Sequence, residues 1–271
     1  MRSILLHVHD DNCMEARLQV ALDIAREFCA HVTCLQPVAF DFVMPGDLYG
    51  TMIAELLPAL QERADEQRDR MCARLASEDV SWDWRQEEGP DGPLLMRCEG
   101  LADLVLIGAH GPSNRGRGAS PLAGHAAVHG RTPLLVVPEA VRSLDIAGTA
   151  VVGWNGSPEA AHALRSAVPL LGKASSVTLV QVAEPADHPD VSLSAVDAAE
   201  YLSRHGIASE IVEVRPGDET VGQALAKSAA ARRAAYLVIG AYGHARTLET
   251  VFGGVTRELL SEPPIPIFMA H

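Results

Sequence analysis

Residues Ala102–Gly111 read ADLVLIGAHG, and 132 positions later Ala234–Gly243 read AAYLVIGAYG. Each is a short run of consecutive apolar residues closing on Gly-x2-Gly. An apolar run without alternation is the mark of a strand buried on both faces, as in a parallel sheet. A strand that returns with the same ending implies that the plan around it returns too. Further upstream, EARLQVALDIAREFCAHVTCLQPVA from Glu15 matches EAAHALRSAVPLLGKASSVTLVQVAE from Glu159 in hydrophobic pattern and in the shared VT..Q, at an offset of 144. The offset shrinks between the two matches, so the first copy carries extra residues, which lie between Ala39 and Ser81.

In the second copy the strand candidates are TAVVGW, SVTLVQV, ASEIVEV, AYLVIGA and PIFMA. Helical stretches separate them. In SPEAAHALRSAVPLLGK, Ser157 suits the N-cap, Pro158 the first helical position and Glu159 the first turn. Alternating strands and helices predict a doubly wound α/β architecture, here as two tandem parallel five-stranded sheets. The repeats are expected at 1–138 and 149–271, joined by the hinge PEAVRSLDIAG, Pro138–Gly148. The extra residues of the first copy include TMIAELLPALQERADEQRDRMCARLAS, which reads as a lengthened helix interrupted near Pro58. The terminal strands TPLLVV and PIPIFMA are strongly apolar edges and the natural place for the copies to meet, since bare edges invite aggregation.

Composition excludes several function classes. A net charge of −13 at pH 7 disfavours a nucleic-acid partner or an anionic membrane surface, both of which need clustered Lys and Arg. The opening run SILLHV is too short for a signal core and meets Asp10 and Asp11, and no apolar run approaches the ~18 residues of a membrane span. A soluble, cytoplasmic protein is expected. The five cysteines, Cys13, Cys29, Cys34, Cys72 and Cys98, form no CxxC and read as buried reduced thiols. The pairs His7/His9 and His125/His129 have metal-ligand spacing, but no third ligand accompanies either, so they read as packing or surface residues and no metal site is expected.

Gly240 ends a strand and the next helix begins near Gly254, so a helix N-terminus with free N–H donors follows a glycine loop, the physics of an anion cradle. GDETVGQALAKS, Gly217–Ser228, places its Lys-Ser too late for a P-loop, and GxGxxG, GxSxG and HExxH are absent. No catalytic constellation is visible.

The order Gly240-x2-Gly243-x9-Gly253 followed by a small residue resembles the universal stress protein signature G-x2-G-x9-G-[ST], and VVGWNGSPEAAHAL from Val151 resembles that family's opening strand and turn. The resemblance covers both copies, as in a tandem member. It implies a Rossmann-like, adenine nucleotide α-hydrolase-like fold and an internal pseudo-dimer, with a homodimer also open. It further implies a stress-response protein that binds ATP or a related adenine nucleotide, with or without magnesium, as a sensor or regulator without efficient turnover. Carried over by position, the family's opening aspartate falls on Asn155, its adenine-side residue on Val182 and its loop glycines on Gly240, Gly243 and Gly253. His244 and Arg246 sit inside the loop, where Arg246 offers a fork of donors, and Gly254, Val255 and Thr256 open the following helix. Gly254 stands where the family has Ser or Thr; Thr256 is the nearest hydroxyl to replace it. In the first copy Gly108 and Gly111 remain, but Pro121 occupies the third glycine's place, Gly124 comes three positions late, and Pro112 and Pro121 remove backbone donors. Nucleotide is therefore expected only in the second copy. Two other readings stay open: a ligand-free interaction scaffold with decayed sites, and a slow ATPase, with Glu249 in the loop.

Overall fold

The structure, a computed structural model, describes residues 1–38, 48–111, 118, 120–183, 193–241 and 254–271, with the side chains of 48–56 left aside. In the first half the order is β1 (Ser3–His7), α1 (Met14–Phe28), β2 (His31–Val38), α2 (Leu48–Leu75), β3 (Ser81–Glu88), α3 (Asp91–Cys98), β4 (Leu104–Gly108), α4 (Pro121–His129) and β5 (Leu134–Val137). The second half repeats it with β6 (Thr149–Gly153), α5 (Pro158–Leu171), β7 (Ser176–Val182), α6 (Ala195–Arg204), β8 (Ser209–Val214), α7 (Val221–Ala231), β9 (Tyr236–Gly240), α8 (Gly254–Ser261) and β10 (Ile267–Ala270). All five strand candidates of the second copy are strands.

The two expected five-stranded sheets are fused into one sheet of ten strands, ordered β3-β2-β1-β4-β5-β10-β9-β6-β7-β8. Within each half every pairing is parallel; across the seam β10 runs antiparallel to β5, with Ile267 opposite Val136, Phe268 opposite Leu135 and Met269 opposite Leu134. The seam joins the two apolar edges that the sequence marks, and each half covers the other's bare strand. Its side chains are buried, Leu135 and Phe268 completely. Leu135→Ala is expected to cost at least about 2 kcal/mol in a denaturant titration of the full chain. A loss below half of that would mean that the seam carries no packing energy.

Helices cover both faces. Residues of α1, α2, α5 and α6 pack in one core with Ile4, Leu6, Val152 and Phe268. Those of α3, α4, α7 and α8 pack in the other with Leu5, Val105, Val151 and Ile267. Neighbouring residues of one strand therefore serve opposite cores, which is why the central strands show no alternation. The outer strands β3 and β8 are half exposed, and Ile211 of β8 stands 41% exposed.

Two expectations are corrected. Pro58 lies inside α2, which runs unbroken through it over a total of 28 residues; proline removes one i→i−4 bond, and a helix of this length keeps enough others. Of the five cysteines, all free, only Cys13 and Cys34 are buried, while Cys29 is exposed. Burial pushes the Cys34 thiol up to about 12, so it stays protonated. The hinge between the halves is anchored. Leu144 and Ile146 are buried, and the Leu144 N–H donates to Asp23 of α1 at 2.8 Å. No helix among the described residues is long and apolar enough to cross a membrane.

Candidate functional site

The strand order of the second half reverses at β6, which has β7 on one side and β9 on the other. From β6 the chain passes to α5 on one face, and from β9 to α8 on the opposite face. The two connections part above the strand ends, and that parting is where open α/β sheets place their ligands.

The β6 turn is tightly specified. Gly156 takes φ 75°, a conformation that glycine adopts without steric cost. The Ser157 N–H donates to Asn155 Oδ1 at 3.1 Å, and the Ser157 hydroxyl caps α5 by accepting from the Ala160 N–H at 3.1 Å. Trp154, 3% exposed, donates its indole N–H to the Leu193 carbonyl at 3.1 Å, and the Leu193 N–H donates to the Gly156 carbonyl. Asn155 itself is exposed at the mouth. One of its oxygen's lone pairs is committed to the turn, and among the described residues its amide N–H groups meet no acceptor.

Val182 closes β7, the neighbour of β6 on the side away from β9, and is partly buried. Gly240 closes β9, where the start of α5 leaves no room for a side chain. A methyl group there would lie 2.5 Å from the Ala160 backbone nitrogen and 2.6 Å from the Glu159 carbonyl carbon. The missing side chain lets the first turn of α5 sit directly on the strand end. Gly108 does the same in the first half, where a methyl would lie 2.5 Å from Arg17 Nη1 and 2.8 Å from Cys13 Cβ.

Gly243, His244, Arg246 and Gly253 lie outside the described residues. α8 begins at Gly254, where an added Cβ would meet nothing within 4 Å. Val255 is partly buried. Thr256 is 4% exposed and shares the inward face of α8 with Leu259 and Leu260, so it does not present the replacement hydroxyl that the sequence suggested. The structure thus brings Asn155, Val182, Gly240 and the start of α8 around one strand switch. Sequence reasoning missed the Asx turn that engages Asn155, although Asn-Gly-Ser before a proline is its usual signal. Among the described residues no group of three or more His, Cys, Asp or Glu is placed to hold a metal ion.

A family model described as the universal stress protein family matches residues 148–271. Those residues form a universal stress protein domain. Beyond it, the whole chain shares its fold with a universal stress protein from Archaeoglobus fulgidus, at 15% identity over 99% of this chain and 95% of that one, with a TM-score of 0.74. A functionally unknown protein from Pseudomonas aeruginosa aligns over 99% of this chain and 92% of its own at 16% identity, TM-score 0.60. At such identities the likeness is one of fold, and it extends the universal stress protein architecture to the first half as a tandem arrangement. A universal stress protein solved in complex with cAMP matches 51% of this chain at 14% identity, TM-score 0.32. No curated protein matches the sequence.

Proposed function

We propose that the universal stress protein domain of the second half binds an adenine nucleotide of the ATP class and acts as a sensor or regulator in a stress response, without efficient turnover. The observation that carries this reading is the strand switch at β6 and β9, with α8 starting directly after the glycine-bearing loop. A helix N-terminus there supplies unpaired N–H donors and a partial positive charge to phosphate oxygens. At the opposite end Asn155 offers amide N–H donors, which suit the acceptor nitrogens of an adenine ring.

Calorimetric titration of the full chain with ATP, ADP and AMP, each with and without magnesium, tests the proposal; failure of all three at millimolar concentration refutes it. The open space around Gly254 gives a graded test. Gly254→Ser restores the signature hydroxyl at a position where an added side chain meets no neighbour. A hydrogen bond to a charged group is worth ~1.5–3 kcal/mol, so nucleotide affinity is expected to rise roughly tenfold or more. Unchanged affinity in this variant would place the phosphates elsewhere.

A further inference from the structure

The first half has the same switch as the second, with β1 leading to α1 on one face and β4 to α4 on the other. A cavity of about 320 Å³ opens there between the ends of β1 and β4 and the first turns of α3 and α4. That volume lies at the lower end of the range for small-molecule pockets. Its polar wall is unlike a phosphate cradle. His7, 3% exposed at the end of β1, places Nε2 3.3 Å from Asp91 Oδ2. His7 Nε2, Asp91 Oδ1 and His110 Nδ1 are buried, and none of them makes a well-aligned hydrogen bond among the described residues. The nearby Asp11 carboxylate is already paired with the fully buried Arg17 at 2.7 Å.

The charge state of this wall follows from its surroundings. Burial lowers the His7 imidazole below its usual value, more than Asp91 raises it. Burial alone would raise Asp91, but the hydrogen bond from His7 and the neighbouring charges outweigh it and hold the carboxyl below the usual range. Among the described residues Asp11 is paired with Arg17 while the side chain nearest Asp91 is the His7 imidazole, and a buried acceptor without a donor is costly. The remaining wall joins the apolar Pro90, Pro93, Pro121 and Leu122 to the polar side chains of Ser120 and His125.

We infer that this cavity is a binding site for a small amphiphilic organic cation, an amidinium or primary ammonium group on a compact apolar body. The cationic head donates to Asp91 Oδ1, while the His7 imidazole lies 3.3 Å from the other oxygen of that carboxylate. The apolar body lies against Pro90, Pro93 and Leu122. A phosphate or carboxylate ligand would instead face Asp91 directly and be repelled. The inference does not depend on nucleotide binding in the second half.

The test uses the full chain and three isosteric probes, benzamidine, benzamide and benzoate, followed by calorimetry or ligand-observed NMR. Benzamidine is expected to bind at least tenfold more tightly than benzamide, with benzoate not binding. Asp91→Asn, which keeps the shape and removes the charge, is expected to weaken benzamidine at least tenfold while leaving the melting temperature within a few degrees. Should that variant fail to fold, Leu122→Trp, which fills the apolar end, is expected to abolish binding. Binding of benzoate as tight as that of benzamidine, benzamidine affinity unchanged in a folded Asp91→Asn or Leu122→Trp protein, or no binding by any probe would overturn the assignment.

Discussion

Gly240→Val is expected to leave the chain largely unfolded at room temperature, while Gly254→Val in the same signature leaves its stability within about 1 kcal/mol. The contrast comes from what surrounds each glycine. At Gly240 the first added carbon would sit 2.5 Å from one backbone atom of α5 and 2.6 Å from another. No rotamer change relieves a contact with backbone, so either α5 lifts from β9 or the strand end shifts, and both elements are packed in a core of completely buried residues such as Ala167 and Tyr236. Interiors packed to crystal density do not absorb such a shift, and the loss should exceed about 4 kcal/mol, the exceptional end for single substitutions. At Gly254 the same carbon enters open space. Circular dichroism melts of the two variants decide the matter. Equal stability would mean that α5 does not rest on the strand end as described.

Arg17→Met is the second large effect. Arg17 is completely buried, yet its guanidinium is satisfied on every side. Nε donates to the His7 carbonyl at 2.7 Å, Nη1 to Asp11 Oδ1 at 2.7 Å and Nη2 to the His9 carbonyl at 3.1 Å. Three segments, the end of β1, the loop after it and the first turn of α1, are tied to one side chain. Its removal leaves the Asp11 carboxylate without its cation and takes a donor from the His7 carbonyl, while the Cys13 N–H still meets Asp11 and the Asp11 N–H still meets the His9 carbonyl; breaking a buried ion pair from one side costs about 3–5 kcal/mol. If the stranded charge is the cause, Asp11→Asn in the Arg17→Met background should recover part of the loss, because the pair is coupled. Urea titration of both single variants and the double variant measures this; strict additivity would show that Arg17 acts by its volume alone.

The duplication and most strands were legible because a parallel sheet covered on both faces forces apolar residues at every position of its central strands. LVLIG and YLVIG could hardly be anything else. The edge strand β3, SWDWRQEE, carries no such signal. It is held by pairing along its full length, from His31 opposite Ser81 to Val38 opposite Glu88. Pro58 misled because proline marks a lost hydrogen bond, and α2 is long enough to lose one. The fusion into ten strands was readable only in part: apolar edges at β5 and β10 announce that something must cover them, and their antiparallel pairing follows from the pseudo-two-fold between the halves.

The site divides similarly. Signature spacing located the strand switch, and only the structure shows that Gly240 makes room for α5. Sequence shows that a side chain is unwelcome, not which neighbour excludes it. Thr256 was read as a spare hydroxyl because the inward and outward faces of a helix of only eight residues are not separable until its core is known. His7 and Asp91 lie far apart in the chain, on a strand and a helix start, and only the topology of the first half sets them 3.3 Å apart.

The proposed nucleotide site belongs to the second half alone and depends on its glycine loop. Titration of ATP into the full chain, beside the Gly243→Val variant, addresses both parts at once. A β-branched side chain within the signature denies the phosphates close approach to the backbone, so the expected result is one nucleotide per chain for the native protein and none for the variant at an unchanged melting temperature. Two nucleotides per chain, or equal binding by the variant, would contradict it.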